Sequence, residues 1–219
     1  MTLPLLLSVP HAGLVIPPVV HDLCILSKNE IIKDGDEGAA EIYLPLENEV
    51  SALVTTIVAR AILDMNRADN DRRKDGVVKT HTCWDVQIYR EPPSETIIAE
   101  LLETFYNPYH ASLTQHAKHV QCGIDCHTMA AQGPPIGPDA GRERPVICIS
   151  NADGTCPKEW ITALAEFEGS LLIGTYGGGL ALRTQDGTWV EMPDRLSGLE
   201  INPNALFVDE NHVFAGTLD

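Results

Sequence analysis

Basic residues are scarce in this chain. Its 219 residues carry 15 Lys and Arg against 31 Asp and Glu, a formal charge of -16 at pH 7. Nucleic acid and anionic membrane surfaces are bound through clustered Lys and Arg, so neither is an expected partner. Long apolar runs are missing too, and none approaches the roughly 18 residues that span a bilayer. The apolar start, Met1 to Leu7, has no basic segment ahead of it and runs straight into a polar motif, so it reads as a core strand and not a signal peptide. No Cys-x-x-Cys pair occurs among Cys24, Cys83, Cys122, Cys126, Cys148 and Cys156. This spacing excludes a structural cysteine zinc site and fits reduced, buried thiols of a cytoplasmic protein.

What remains is ordinary globular composition, 44% hydrophobic and 21% charged, long enough for one full α/β domain over residues 1–219. An acidic surface favours solubility by itself; for function, a small ligand bound with the help of a cationic metal fits it.

Two segments carry the chemistry. Leu3 to Val9 and Val120 to Cys126 both read as buried strands, and each ends in a histidine: Ser8-Val9-Pro10-His11-Ala12-Gly13 and Gly123-Ile124-Asp125-Cys126-His127-Thr128-Met129. In open α/β sheets, sites form at the carboxyl ends of strands. Two histidines there and a nearby carboxylate are the ingredients of a catalytic zinc site, which keeps one position open for water. A single histidine at a strand end is more ordinarily a hydrogen-bonding cap, so the pair carries the argument.

Between them, Leu14 to Lys33 reads as a Pro-bearing connection, Asp34 to Gly38 as an acidic turn, and Ala39 to Leu46 as helical. Leu53 to Val58 and Ala61 to Met65 read as strands, and Ala68 to Gly76 as a polar loop. Ser94 opens a helix through Ile97, Ile98, Leu101, Leu102 and Phe105, with Pro108 breaking or kinking it before a second stretch, Tyr109 to His119. Ala131 to Gly141 is a Gly/Pro loop expected at the rim of a site. Val146 to Ser150 reads as a strand, Pro157 to Phe167 as a helix and Leu171 to Thr175 as a strand. The tail, residues 170–219, holds two similar segments about forty residues apart, the period of a propeller blade, so blade-like β hairpins are its alternative.

The motifs resemble, in order, those of the N-formylglutamate amidohydrolase family, itself similar in its core to zinc carboxypeptidases and aspartoacylase. The matching pieces are the His11 motif, the acidic turn with Asp36, Asp64-Met65-Asn66-Arg67, Asn107-Pro108-Tyr109-His110, the His127 motif, and Ile149 to Thr155. The tail matches through Tyr176 to Gly179 and Leu199-Glu200-Ile201-Asn202, where Pro203 and Asn204 stand in place of the family's arginine.

The resemblance implies an α/β fold, a single three-layer domain with a mixed central sheet flanked by helices. It implies hydrolysis of the amide bond of an N-formyl or N-acyl amino acid, N-formyl-L-glutamate above all, by one divalent metal, zinc being first choice. His11, His127 and Asp36 would be the ligands, with Asp34 and Glu37 competing for the carboxylate position and a helix cap the plain alternative for all three. Asp125 would orient an imidazole. Arg67 would hold a substrate carboxylate or the developing oxyanion, beside Asn66; its alternative is a salt bridge to Asp64 or Asp69. Arg142 and Arg144 are candidates for the second carboxylate of a diacid, and His110 for lining the site. Glu200 would be the general base that takes a proton from the water. The rival reading is a non-catalytic metal-binding or interaction module with an amidohydrolase-like core and a propeller-like tail. A soluble oligomer is compatible with either.

Overall fold

The structure, a computed structural model, describes residues 2–120, 122–144, 148, 162–167, 170–175, 179–184, 186, 188–191, 201–208 and 213–217. Two compact units divide the chain, Met1–Arg144 and Pro145–Asp219.

The first unit is built on β1 (Leu3–Val9), followed by α1 (Pro18–His21), α2 (Lys28–Asp34), α3 (Ala39–Tyr43), β2 (Val50–Thr55), α4 (Glu95–Leu101), α5 (Asn107–Ala117) and β3 (Cys122–Asp125). The three strands form a parallel sheet in the order β2-β1-β3. This is an α/β arrangement with a small parallel sheet. β1 lies at its centre and is buried on both faces, which explains its near-continuous apolar sequence. Leu6 joins Val54, Ile98, Leu101 and Tyr109, whereas Leu7 and Val9 join Ala39, Val50 and Cys126. Each such buried side chain contributes about 1.5–3 kcal/mol.

Several expectations are corrected. The Leu14 to Lys33 connection contains two helices, α1 and α2. The second has a readable start signal: Ser27 accepts from the Glu30 amide while the Glu30 carboxylate accepts from the Ser27 amide, a capping box. β2 ends at Thr55, and Ala61 to Met65 is not a strand. Its amides turn back, Ile62 and Leu63 both donating to the Ala59 carbonyl. The run is apolar because it is buried, and burial alone does not fix conformation. α3 stops at Tyr43 and tightens to a 3-10 turn through Asn48. Ser94 caps α4 as expected, but Pro108 does not break the chain direction. It occupies the first turn of α5, after a π-turn over Leu102–Tyr106.

The second unit contains β4 (Thr162–Phe167), β5 (Ser170–Thr175), β6 (Gly179–Arg183), β7 (Trp189–Glu191), β8 (Ile201–Val208) and β9 (Val213–Thr217). β4 to β7 form an antiparallel meander, and β8 pairs antiparallel with β9. The helix expected over Pro157 to Phe167 is therefore a strand from Thr162 onward; Phe167 pairs with Ser170, so the strand folds directly back onto β5. Of the expected strand Val146 to Ser150 only Cys148 is among the described residues, and Glu200 lies outside them. No helix among the described residues is long and apolar enough to cross a membrane, and the five described cysteines are free.

One glycine is fixed by close approach. A Cβ on Gly13 would stand 2.4 Å from the Ile57 carbonyl carbon and 2.5 Å from the Val58 oxygen, both backbone atoms. Gly13→Ala is expected to destabilise the first unit by about 1–3 kcal/mol, the range for overpacking, seen as a lower urea midpoint at unchanged m-value.

Candidate metal centre

Because β1 and β3 run parallel with Ser8 opposite Asp125, the residues that follow each strand emerge at the same edge of the sheet. The strand order reverses at β1, so this edge is a topological switch point. His11 and His127 meet there with ring centroids 4.9 Å apart. Asp36 arrives from the turn between α2 and α3, its amide donating to the His11 carbonyl at 3.3 Å. One Asp36 oxygen lies 2.8 Å from His127 Nδ1 and the other 3.5 Å from His11 Nδ1. The ligand atoms of His11, Asp36 and His127 all fall within 4.8 Å of one another, a group that could hold a metal ion.

Of the three competing acids, geometry selects Asp36. Asp34 is fully buried and turned away, paired with Lys79 Nζ at 2.9 Å and accepting from the Cys83 amide at 2.6 Å. Glu37 approaches through its carbonyl, which accepts from Thr128.

The far nitrogen of each imidazole is bound to a further carboxylate. His11 Nε2 donates to Asp64 Oδ1 and His127 Nε2 to Asp125 Oδ2, each at 2.9 Å. Such partners fix tautomer and ring orientation in metal sites. Behind Asp125, the Ser8 hydroxyl donates at 2.6 Å and itself accepts from the Tyr109 hydroxyl of α5, also at 2.6 Å, while the Asn66 amide donates to the other oxygen. His11 Nδ1 is buried with no hydrogen-bond partner. A buried polar atom left so costs on the order of 1–3 kcal/mol, and a cation between the three groups would satisfy it. The donor set, two imidazoles and one carboxylate, fits zinc.

Burial works against the charge on Asp36, but the His11 and His127 imidazoles beside it hold its carboxyl well below the ordinary range. Asp64 is likewise buried and held low by His11, Arg60 and Lys79. Burial opposes charge on His127 also, yet its hydrogen bonds to Asp125 and Asp36 raise it to about 9.

The group opens into a cavity of about 300 Å³, whose wall includes Lys33, Arg60, Arg67 and Arg144 as well as Asn66, Trp84 and Pro134. Arg67 is tied to neither Asp64 nor Asp69 but to Asp75, at 3.2 Å, with its Nε donating to the Asp75 carbonyl. Arg144 is held by Asp139 at 2.6 and 2.9 Å. His110 and Arg142 are not among the lining residues. His110 faces the loop, its Nε2 donating to the Met65 carbonyl at 3.0 Å and its ring tilted against Tyr106, and Arg142 is exposed. The sequence reading missed Asp64 as a partner of His11, and Arg60, Lys33 and Trp84 as lining. Its one signal for Asp64 was an acid closing an apolar run.

An imidazole must be neutral to bind a metal, and the two carboxylates beside His127 raise its pKa to about 9 in the metal-free protein. Its value is raised, so charged His127 stabilises the metal-free fold fully below its ordinary pKa of about 6.5, a contribution lost as pH rises through about 9. Zinc uptake at neutral pH is therefore expected to release a proton from His127, with affinity rising up to tenfold per pH unit and flattening above about 9. Calorimetry in buffers of different ionisation heat measures that release directly.

The model of the family described as N-formylglutamate amidohydrolase matches residues 3–174. An N-formylglutamate deformylase of Pseudomonas putida is 27% identical over 118 residues, 51% of this chain and 44% of that protein. Among solved structures, a gene product of Agrobacterium tumefaciens is similar at TM-score 0.51 and 20% identity, over 64% of this chain and 56% of that one. An N-formylglutamate amidohydrolase from Ralstonia eutropha JMP134 gives TM-score 0.49 and 19% identity, over 58% and 53%. The chain thus spans less than half the length of the Pseudomonas relative and little more than half of the two solved chains. With most of its length matched, including both histidine motifs and the acidic turn, the chain belongs to the N-formylglutamate amidohydrolase family.

Proposed function

We propose that this protein hydrolyses the amide bond of an N-formyl or N-acyl amino acid, N-formyl-L-glutamate first among them, using one divalent metal. The observation that carries the proposal is the buried, unpartnered His11 Nδ1, converging with Asp36 and His127 at the mouth of a cationic cavity. The relative's name, N-formylglutamate deformylase, supports the substrate class. The donor set favours zinc, and the apolar clusters that flank β1 support a three-layer fold.

His11, Asp36 and His127 would hold the metal. When bound, it supplies Lewis acidity toward the amide carbonyl and lowers the pKa of a water. Asp64 and Asp125 keep the far imidazole protons in place. Arg67, anchored by Asp75, presents a fixed guanidinium to a substrate carboxylate or to the oxyanion that develops on the carbonyl. Arg144, anchored by Asp139, serves the second carboxylate of a diacid, and Asn66 donates beside them. Arg142 and His110, off the cavity wall, take no part in this reading. Glu200, by family resemblance, takes the water's proton and delivers it to the leaving amine.

Elemental analysis of the purified protein is expected to give near-stoichiometric zinc, with formate released from N-formyl-L-glutamate. His11→Ala with His127→Ala should remove both. Glu200→Gln should abolish turnover while zinc stays bound, and Arg67→Met should lower kcat by about 10²–10³, the scale of losing one charge-stabilising donor. No zinc uptake from added metal would sink the mechanism.

A further inference from the structure

Lys79 is an ammonium with no route to solvent. Its side chain is 1% exposed, and the two carboxylates it faces, Asp34 at 2.9 Å and Asp64 at 3.7 Å, are 0% and 2% exposed. Arg60 closes the set, with Nε donating to Asp64 at 3.2 Å and Nη1 to the Asp34 carbonyl at 3.1 Å. Two acids and two cations balance, so the group is electrically neutral inside the protein.

Neutrality explains why the set is tolerated and not why it is there. Desolvating the three fully buried charges costs several kcal/mol per ion, and well-packed apolar residues of similar volume are often as stable or more so. What an apolar set could not do is hold the two ends this one holds. The first is Asp64, whose Oδ1 accepts from His11 Nε2 at 2.9 Å. The second is Asp34, fixed by the Cys83 amide at the start of the turn that carries Asp36. That turn lies directly on His11: the Asp36 amide donates to the His11 carbonyl, and a Cβ on Gly35 would stand 3.3 Å from the same oxygen. Lys79 itself reaches neither the cavity nor the ligand atoms.

We infer that Lys79 is a positioning residue for the metal centre, its ammonium tying the carboxylate beneath His11 to the carboxylate that anchors the Asp36 turn. With one Asp64 oxygen held between Lys79 and Arg60, the other, which also accepts from the Asn66 amide, stays aimed at His11 Nε2 and leaves Nδ1 facing Asp36. Without the ammonium, Asp34 keeps only the Cys83 amide and thiol, Asp64 keeps, besides His11, only Arg60 and the Asn66 amide, and the constraint on both the His11 ring and the Asp36 turn is weakened. The inference rests on the metal-centre reading, but part of its test does not.

The test is Lys79→Met in the full chain, with fold checked by circular dichroism. Two quantities are measured: zinc affinity by chelator competition, and the His11 imidazole nitrogens of the metal-free protein by nitrogen-15 NMR. We expect a folded protein with zinc bound about 10–100-fold more weakly, the scale of losing an outer partner of a ligand, and with His11 in mixed tautomers. Wild-type affinity and a wild-type tautomer in folded Lys79→Met would overturn the inference. If that variant does not fold, Asp34→Asn combined with Lys79→Met restores the buried charge balance and should show the same two losses. Its failure to fold, or its wild-type behaviour, would assign Lys79 to the core alone and likewise overturn the inference. Should the wild-type protein take up no zinc, the metal reading fails, while an unchanged His11 tautomer in Lys79→Met still decides against Lys79 separately.

Discussion

The parallel pairing of β3 with β1 is the constraint on which the site depends. It sets Ser8 opposite Asp125, and the meeting of the two histidines follows from that register. His11 and His127 emerge from neighbouring strand ends, Ser8 reaches across to Asp125, and Asp125 reaches forward to His127. A slip of one residue would turn Ser8 and Asp125 to opposite faces of the sheet, leaving the Asp125 carboxylate without the Ser8 hydroxyl that holds it behind His127. The apolar packing on both faces of β1 resists such a slip, since Leu6 and Leu7 would exchange clusters. Core packing and ligand placement are thus one requirement.

Charge is distributed with a similar economy. The chain is strongly acidic as a whole, yet three of the cations on the cavity wall, Arg60, Arg67 and Arg144, are each clamped by an acid, Asp64, Asp75 and Asp139. Clamping lowers the net field but fixes the fork, so less side-chain freedom is lost when a carboxylate binds. Lys33 is held differently, its ammonium 4.0 Å over the Trp84 ring, which leaves its charge uncompensated by a carboxylate at that contact.

Much of the centre was legible because its residues announce themselves locally. His11 and His127 each follow a strand legible in the sequence; β1 has the bounds read for it, whereas the second strand is confined to Cys122–Asp125 and is largely exposed where Val120 to Cys126 reads as buried. Ser94 and the spacing of Ile98 and Leu101 likewise mark α4. The failures share one cause. Ala61 to Met65 turns back on the Ala59 carbonyl and Thr162 to Phe167 pairs with the strand that follows it, and neither partner is legible in the segment's own residue pattern. Asp64 illustrates the same limit: nothing near it says that its oxygen accepts from a histidine far back in the chain. Asp36 was legible only through the family resemblance, since the residue pattern alone leaves Asp34 and Glu37 equally open and they differ in which way the turn faces them. The capping box at Ser27 and Glu30 was readable and was passed over.

The distribution of the site along the chain separates two properties that usually travel together. The three proposed ligands, their orienting carboxylates and the clamped arginines all belong to residues before Pro145, the first unit. The proposed general base, Glu200, belongs to sequence beyond the matched family region, which ends at 174. Under the proposed mechanism, metal affinity would draw on residues that all belong to the first unit, and proton transfer on Glu200, which does not. Ligand binding by fixed imidazoles and a held carboxylate is an equilibrium property of pre-organised geometry, whereas turnover needs in addition a base within reach of the water. A change in the tail should register in kcat with metal retained. A change in the buried network around Asp64 should register in metal affinity before it registers anywhere else.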